Sequence, residues 1–148
     1  MIHYEVNQLS GRKIPLAKWE KWFQAIAREI KSAKNLEVSV AVVGDMAIKK
    51  LNKVYRGKDE ITDVLSFDEM SSAIEKHFAA KDFLGEIVIC YQQAKRQAKK
   101  ARHSLDDEMQ LLLTHGFLHL LGYDHEIKKE AQKMRLLEEK IVGQSMIV

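Results

Sequence analysis

The sequence of this 148-residue chain predicts an α+β fold, in which a small mixed β-sheet of about four strands packs with about five to six α-helices. Two observations lead to this prediction. Apolar residues recur at helical spacing in several long segments, and shorter valine- and isoleucine-rich segments between polar or glycine residues are typical of strands. No repeat or linker interrupts them, which favours one domain over residues 1–148.

The first half of the chain alternates strands and helices. Residues 2–6 alternate apolar and polar side chains, which predicts a strand, and Pro15 is suited to open a helix over residues 16–30. The apolar stripe of this helix consists of Leu16, Trp19, Phe23, Ile26 and Ile30.

The valine-rich residues 36–43 predict a second strand. Asp45 is expected to cap the next helix, which should stop near Gly57 in a left-handed turn. Its expected buried residues are Ile48, Leu51 and Val54.

The second half begins with strands and continues with helices. The expected elements are strands at residues 64–67 and 84–91, joined by an irregular connection at 71–81, and helices at 92–102, 105–121 and 126–142. Ser104 and the acidic residues after it favour the start of one helix, and Gly122 favours its end. The apolar side of the last helix consists of Ile127, Met134, Leu137 and Ile141.

The composition is that of an ordered soluble protein, with 46% hydrophobic and 30% charged residues. The apolar stretches are too short to cross a bilayer, and the first residues show no secretory signal. The lone Cys90 cannot form a disulfide within the chain, which favours a reducing compartment. We therefore expect a cytoplasmic monomer without a membrane partner.

A basic segment follows the last predicted strand. No acidic residue lies between Ile87 and Leu105, and the formal net charge of the whole chain is +3. The basic residues of this segment are Lys95, Arg96, Lys99, Lys100 and Arg102. They predict contacts with nucleic-acid phosphates, although a solvated helix face without a ligand explains the pattern equally well.

Three of the six histidines lie within the eleven residues 115–125. On a helix, His115 and His119 differ by about 40° in direction and about 6 Å in height, so both rings are able to reach one ion. Gly122 allows the chain to double back, and His125 is expected to approach the same ion from another direction. Three imidazoles with an open fourth position are typical of catalytic zinc on a zincin-like helix.

These residues also admit other interpretations. A single histidine is more often a hydrogen-bonded core residue, but three clustered polar rings are difficult to bury without a shared ligand. One Zn²⁺ per chain is the predicted cofactor, although imidazoles also bind nickel, copper or iron. Gly116 occupies the place of the general-base glutamate in His-Glu-x-x-His proteases, so a peptidase is less expected. Asp124 is interpreted as capping the last helix rather than assisting the metal.

Three segments together resemble the YbeY-type endoribonucleases, which are rRNA maturation factors, and the resemblance extends over nearly the whole chain. They are HGFLHLLGYDH at 115–125, NKVYRGKDEITDVLSF at 52–67 and LGEIVIC at 84–90. The chain departs from the family pattern at Asp68, where the family usually has proline, and at Glu86, where it usually has aspartate.

The resemblance implies that His115, His119 and His125 bind the metal and that Arg56 is an essential arginine. It implies cleavage of single-stranded RNA, maturation of the 3′ end of 16S rRNA, ribosome quality control, and the small ribosomal subunit as partner. The residues alone leave two alternatives: a metal-dependent hydrolase of a non-RNA substrate, such as a peptide or small amide, and a ribosome-assembly or RNA-binding factor with a mainly structural metal.

Arg56 has two interpretations. By the resemblance, it grips the phosphodiester through charge-assisted hydrogen bonds that strengthen as negative charge develops. Considered without the resemblance, it is more typical of a surface salt bridge with Asp59 or Asp63.

Overall fold

The computed structural model describes residues 1–30, 35–68, 83–123 and 127–146, with side chains to residue 143. Within these ranges the chain forms four strands and five helices. In chain order they are β1 (Ile2–Gln8), α1 (Leu16–Ile30), β2 (Leu36–Val43), α2 (Asp45–Arg56), β3 (Val64–Phe67), β4 (Phe83–Cys90), α3 (Tyr91–Ala101), α4 (Leu105–Leu120) and α5 (Lys128–Met146). The predicted α+β class is confirmed, and the expected irregular connection at 71–81 lies outside the described residues.

The four strands form one mixed sheet in the order β1-β2-β4-β3. The pairs β1–β2 and β2–β4 are parallel, whereas β3 runs antiparallel to β4 with Leu65 opposite Val88. In this described sheet β3 is an outer strand. The side chains of β3 point alternately to the two faces of the sheet, where the helices lie.

Both faces of the sheet are covered by helices. One face, with Val40 and Ile87, packs against α1 and α4 in a core that contains Trp19 and Phe117. The opposite face is covered by α2, and its buried residues include Val43, Ile48, Phe67 and Val88. Trp19 is therefore a core residue, as predicted, with 1% of its surface exposed. Among the described residues, no helix combines the length and apolarity needed to cross a bilayer.

Three residues assigned to buried stripes are exposed instead. Leu16 opens α1, Val54 lies on α2, and Ile127 precedes α5, and each is more than half exposed. On α2, the position one turn after the buried Ile48 belongs to Asn52, which is only 3% exposed. The Asn52 side-chain amide donates to the Glu60 carbonyl at 3.0 Å, so burial there serves a hydrogen bond rather than apolar packing.

The predicted boundaries of the first strand and the last helix differ by two to four residues, and two differences concern helix starts. Tyr91 is the first residue of α3 rather than the last of β4, because the helix follows the strand without a connecting turn. Asp45 is the first residue of α2 and does not cap it; Gly44, with an extended backbone, takes the N-cap position. By contrast, the left-handed Gly57 ends α2 as predicted, with φ of 72°.

Candidate active site

Helix α4 carries two of the predicted metal ligands and is fixed in rotation by its packing on the sheet. The Ser104 hydroxyl caps its start by accepting from the Asp107 N–H at 3.0 Å. Gly116 lies against β3 and β4: a Cβ there would be 2.8 Å from Ile87 Cγ2 and 3.2 Å from Ser66 Oγ. The Ser66 hydroxyl also donates to the Gly116 carbonyl at 3.1 Å. This close approach fixes which side of α4 faces away from the sheet.

His115 and His119 line one cavity of about 340 Å³. Their ring centroids are 4.9 Å apart and the rings are inclined at 61°. The remaining lining residues come from the end of α2, the segment before β3, and β3 itself: Arg56, Thr62, Asp63, Val64, Leu65 and Ser66. The structure thus brings two predicted metal ligands and the predicted arginine to one cavity.

Glu138 of α5 contacts the ring of His115. His115 Nδ1 donates to Glu138 Oε1 at 2.6 Å. A neutral imidazole that donates through Nδ1 keeps its lone pair on Nε2, and metal-binding histidines are commonly oriented by such a carboxylate. Sequence reasoning missed Glu138, because no spacing rule relates a residue of α5 to one of α4.

Arg56 reaches the cavity from the end of α2, beside β3. It is the last residue of α2. Its guanidinium donates to the Ser66 carbonyl at 2.7 Å and lies 5.0 Å from the centroid of the Phe67 ring. Both contacts hold an exposed side chain in one place. Asp59 is one of the two acids that the sequence offered as a salt-bridge partner of Arg56. Its Oδ2 lies 3.9 Å from Lys53 Nζ.

Asp63, the other of those carboxylates, belongs to the cavity wall. Its Oδ1 accepts from the Val64 N–H at 2.7 Å, and its Oδ2 accepts from the Gln97 amide at 3.2 Å. Gln97 also donates to the buried Glu108 at 3.0 Å. Asp63 and Ser66 were not predicted as site residues. The only sequence signal for them was that both lie in the segment 52–67, which also contains Arg56.

The described part of the proposed metal site fits a transition metal, although it is incomplete. His125 and Asp124 lie outside the described residues, and no group of three histidine, cysteine, aspartate or glutamate side chains able to hold a metal occurs in the parts of the chain that are described. The two clustered imidazoles and the carboxylate behind His115 match the donor chemistry of zinc and related ions.

The basic residues predicted to contact nucleic acid, Lys95, Arg96, Lys99 and Lys100 of α3 and the following Arg102, lie elsewhere. All five are exposed, and none is among the described residues that line the histidine cavity. Arg96 forms a bidentate ion pair with Asp45, with N–O distances of 2.7 and 3.1 Å, so it joins α3 to α2. Arg102 follows α3 in the left-handed conformation, with φ of 59°. Arg96 and Arg102 therefore have structural roles that sequence reasoning did not foresee.

The ion pair of Arg96 also affects its neighbours. The hydrogen bonds from Arg96 hold the pKa of the Asp45 carboxyl below its usual range. The Cys90 thiol donates to the same carboxyl at 3.2 Å, and burial raises the pKa of this thiol to about 11. Cys90 is therefore a protonated core residue at neutral pH, with no exposed surface.

Comparison with known proteins gives one consistent family. Residues 4–145 match the family described as Endoribonuclease YbeY. Endoribonuclease YbeY of Aquifex aeolicus is 41% identical over 137 residues, which are 92% of this chain and 87% of the relative. The Bacillus licheniformis protein of the same name is 42% identical over 132 residues, 86% of this chain and 84% of the relative. The solution structure of TM1509 from Thermotoga maritima is similar with a TM-score of 0.60 and 29% identity, covering 99% of this chain and 92% of that one. Because the match extends over nearly its full length, this chain belongs to the YbeY endoribonuclease family.

Proposed function

We propose that this chain cleaves single-stranded RNA in a metal-dependent reaction, in the cavity lined by α4, β3 and the end of α2. Family membership confirms the predicted endoribonuclease class. One observation carries the location: His115, His119 and Arg56, from two helices on opposite faces of the sheet, line the same cavity.

The proposed cofactor is one Zn²⁺ per chain, held by His115 and His119 and by His125 as the third ligand. When bound, it would lower the pKa of a coordinated water from that of bulk water to about 7 and polarise a phosphoryl oxygen. Glu138 would keep the His115 ring oriented with Nε2 available to the ion.

Arg56 is proposed to bind the scissile phosphodiester. Its guanidinium is already anchored at Ser66 and stacked near Phe67, so binding a phosphate immobilises few additional torsions. Charge-assisted hydrogen bonds from this group strengthen as the phosphate gains negative charge in the transition state.

The packing of Gly116 argues against the alternative of a peptidase. A side chain at this position would start 2.8 Å from Ile87 and would enter the sheet rather than the cavity. A general-base glutamate of the His-Glu-x-x-His type therefore has no place on this helix. The substrate is better described as the RNA phosphodiester that Arg56 is suited to bind.

The proposed biological substrate is ribosomal RNA, at the 3′ end of 16S rRNA, with the small ribosomal subunit as partner. We further propose a cytoplasmic monomer. These points rest on the family resemblance and on the composition of the chain.

The proposal is tested with His119→Ala and Arg56→Ala, assayed on a defined single-stranded RNA and its duplex. We expect His119→Ala to lose metal and cleavage with an unchanged circular dichroism spectrum. Arg56→Ala should keep its metal but lose about 10²- to 10³-fold in kcat/KM, as expected for a transition-state donor. Lys53→Ala, an exposed cation of the same helix, is the matched control and should cleave normally. Undiminished cleavage by Arg56→Ala would refute the phosphate-binding role.

A further inference from the structure

A second cavity, of about 690 Å³, lies near the opposite end of α4 from the histidines. The segment between β1 and α1 and the first turns of α1, α3 and α4 contribute to its wall. Its basic lining residues are Arg12, Lys13, Lys18 and Lys95, and Asp106 is the one carboxylate among the described lining residues.

The positive charge of this cavity is largely uncompensated. Lys18 Nζ lies 2.5 Å from Asp106 Oδ2, so these two groups neutralise each other. The side chains of Arg12, Lys13 and Lys95 are exposed and form no ion pair with a carboxylate of the described residues. Their three charges equal the formal net charge of the entire chain, which is +3.

The loop that carries Arg12 and Lys13 is held in one conformation. The Gln8 side-chain amide donates to the carbonyls of Ser10 and Arg12 at 3.1 and 2.7 Å, and its oxygen accepts from the Ile14 N–H at 2.8 Å. These bonds tie both ends of the loop to one side chain. A ligand of the two cations would therefore not have to order this backbone.

The same loop is pressed against α3. Gly11 has φ of +82°, and a Cβ there would be 2.3 Å from the Tyr91 ring. Only glycine allows this approach. The contact places the loop cations beside Lys95, which belongs to the second turn of α3 and lines the same cavity. The need to hold the loop in this conformation explains why Gln8 and Gly11 are present. It does not explain why three exposed cations surround one cavity.

We propose that this basic cavity binds backbone phosphates of single-stranded RNA outside the cleavage cavity. The inference rests on the proposed function, because an enzyme that cuts within a strand must hold the strand beyond the cut. Leu105, at the basic cavity, and His119 are fourteen positions apart on α4, or about 21 Å along its axis. Only an RNA long enough to cover this distance occupies both cavities.

The test compares the triple variant R12A/K13A/K95A with the control K50A/K133A/K140A. Both remove three exposed positive charges, but the control residues line neither cavity.

Dissociation constants are measured by fluorescence anisotropy in chelator, for a long single-stranded RNA and for a dinucleotide. For the long RNA at low salt, we expect R12A/K13A/K95A to weaken binding about tenfold or more. We also expect the slope of log Kd against log salt to fall by about 2. Dinucleotide binding and the control variant should change little.

Three results of the affinity measurements would overturn the inference, and a displacement experiment provides a fourth. The first is an unchanged affinity of R12A/K13A/K95A for the long RNA. The second is an equal loss of long-RNA affinity in the control variant, and the third is an equal loss of affinity for the dinucleotide in R12A/K13A/K95A. Displacement of the long RNA by inorganic phosphate or uridine monophosphate at comparable concentrations would identify a small phosphorylated ligand instead. Because binding is measured without metal, a failure of RNA cleavage would count against the proposed function and leave this test intact.

Discussion

The orientation of the His115 ring depends on Glu138, an acid of a different helix. The spacing of His115 and His119 followed from helical geometry and predicted that they share a face; in the structure the two rings lie at one cavity. The spacing could not indicate which acid would orient the ring. Arg56 likewise was favoured by the family resemblance and not by its local sequence, because its anchors at Ser66 and Phe67 arise from the folding of β3 beside α2.

The Glu138 contact leads to a prediction at this scale. Glu138→Gln should weaken metal affinity by about 10- to 100-fold, because an amide is a poorer acceptor for the His115 Nδ1–H than a carboxylate. Competition with a chromophoric chelator measures the change. Glu139→Gln alters the neighbouring exposed acid and should leave the affinity as it is. Equal affinities in the two variants would show that Glu138 does not support a metal ligand.

Helix α4 owes its approach to the sheet to the absence of a side chain at Gly116. From the sequence, Gly116 was informative only as the missing protease glutamate. Its packing role depends on Ile87 and Ser66, which lie on two strands that meet α4 only in the folded chain.

We predict that Gly116→Ala destabilises the protein by about 1–3 kcal/mol, because the added methyl group forces α4 away from Ile87. RNA cleavage should fall as well, since His115 and His119 move with the helix. Gly143→Ala, in α5, is the control: its Cβ meets nothing within 4 Å, so better helix propensity should stabilise by up to about 1 kcal/mol. Urea unfolding measures both changes, and a Gly116→Ala variant as stable as the parent would contradict the packing argument.

The pair Asp45–Arg96 connects α2 to α3 and makes stability depend on pH. The pKa of Asp45 is lowered in the folded protein, so the pair stabilises above the unfolded-state value near 3.9 and is lost as pH falls through the folded value. Arg96→Gln should therefore lower the free energy of unfolding at pH 7, and the difference should shrink as the pH falls below the unfolded-state value of the carboxyl. Lys99→Gln, on the same helix, should show no such pH dependence. Parallel pH profiles for Arg96→Gln and the parent protein would contradict this assignment.

At the scale of the whole molecule, the fold has an apolar core that does not include His115 or His119. The sheet, α1 and α4 share a core that includes Phe23 and Phe117, whose ring centroids are 6.4 Å apart. Among the residues that line the two cavities, Ile14 and Tyr91 belong to this core, whereas the histidines, Arg56 and the cations of the basic cavity do not. Metal and RNA binding should therefore be separable from folding.

Removal of the metal tests this separation. Chelator should abolish RNA cleavage and leave the far-ultraviolet circular dichroism spectrum unchanged. Relative to protein with free metal at 100 times its Kd, the free energy of unfolding should fall by about 2.7 kcal/mol, which is the linkage contribution of one site. Loss of the folded state in chelator would instead favour the alternative in which the metal mainly stabilises the fold.

By itself, the sequence determined the α+β class, most element positions, and the shared face of His115 and His119, because hydrophobic periodicity and helical spacing are local properties of the chain. The tertiary structure decided which distant groups meet: Glu138 with His115, Arg56 with Ser66, and Arg96 with Asp45. It also separated Lys95 from the rest of its basic segment by placing it beside Lys13 in a second cavity. These pairings depend on how helices and strands pack, and no spacing along the chain encodes that packing.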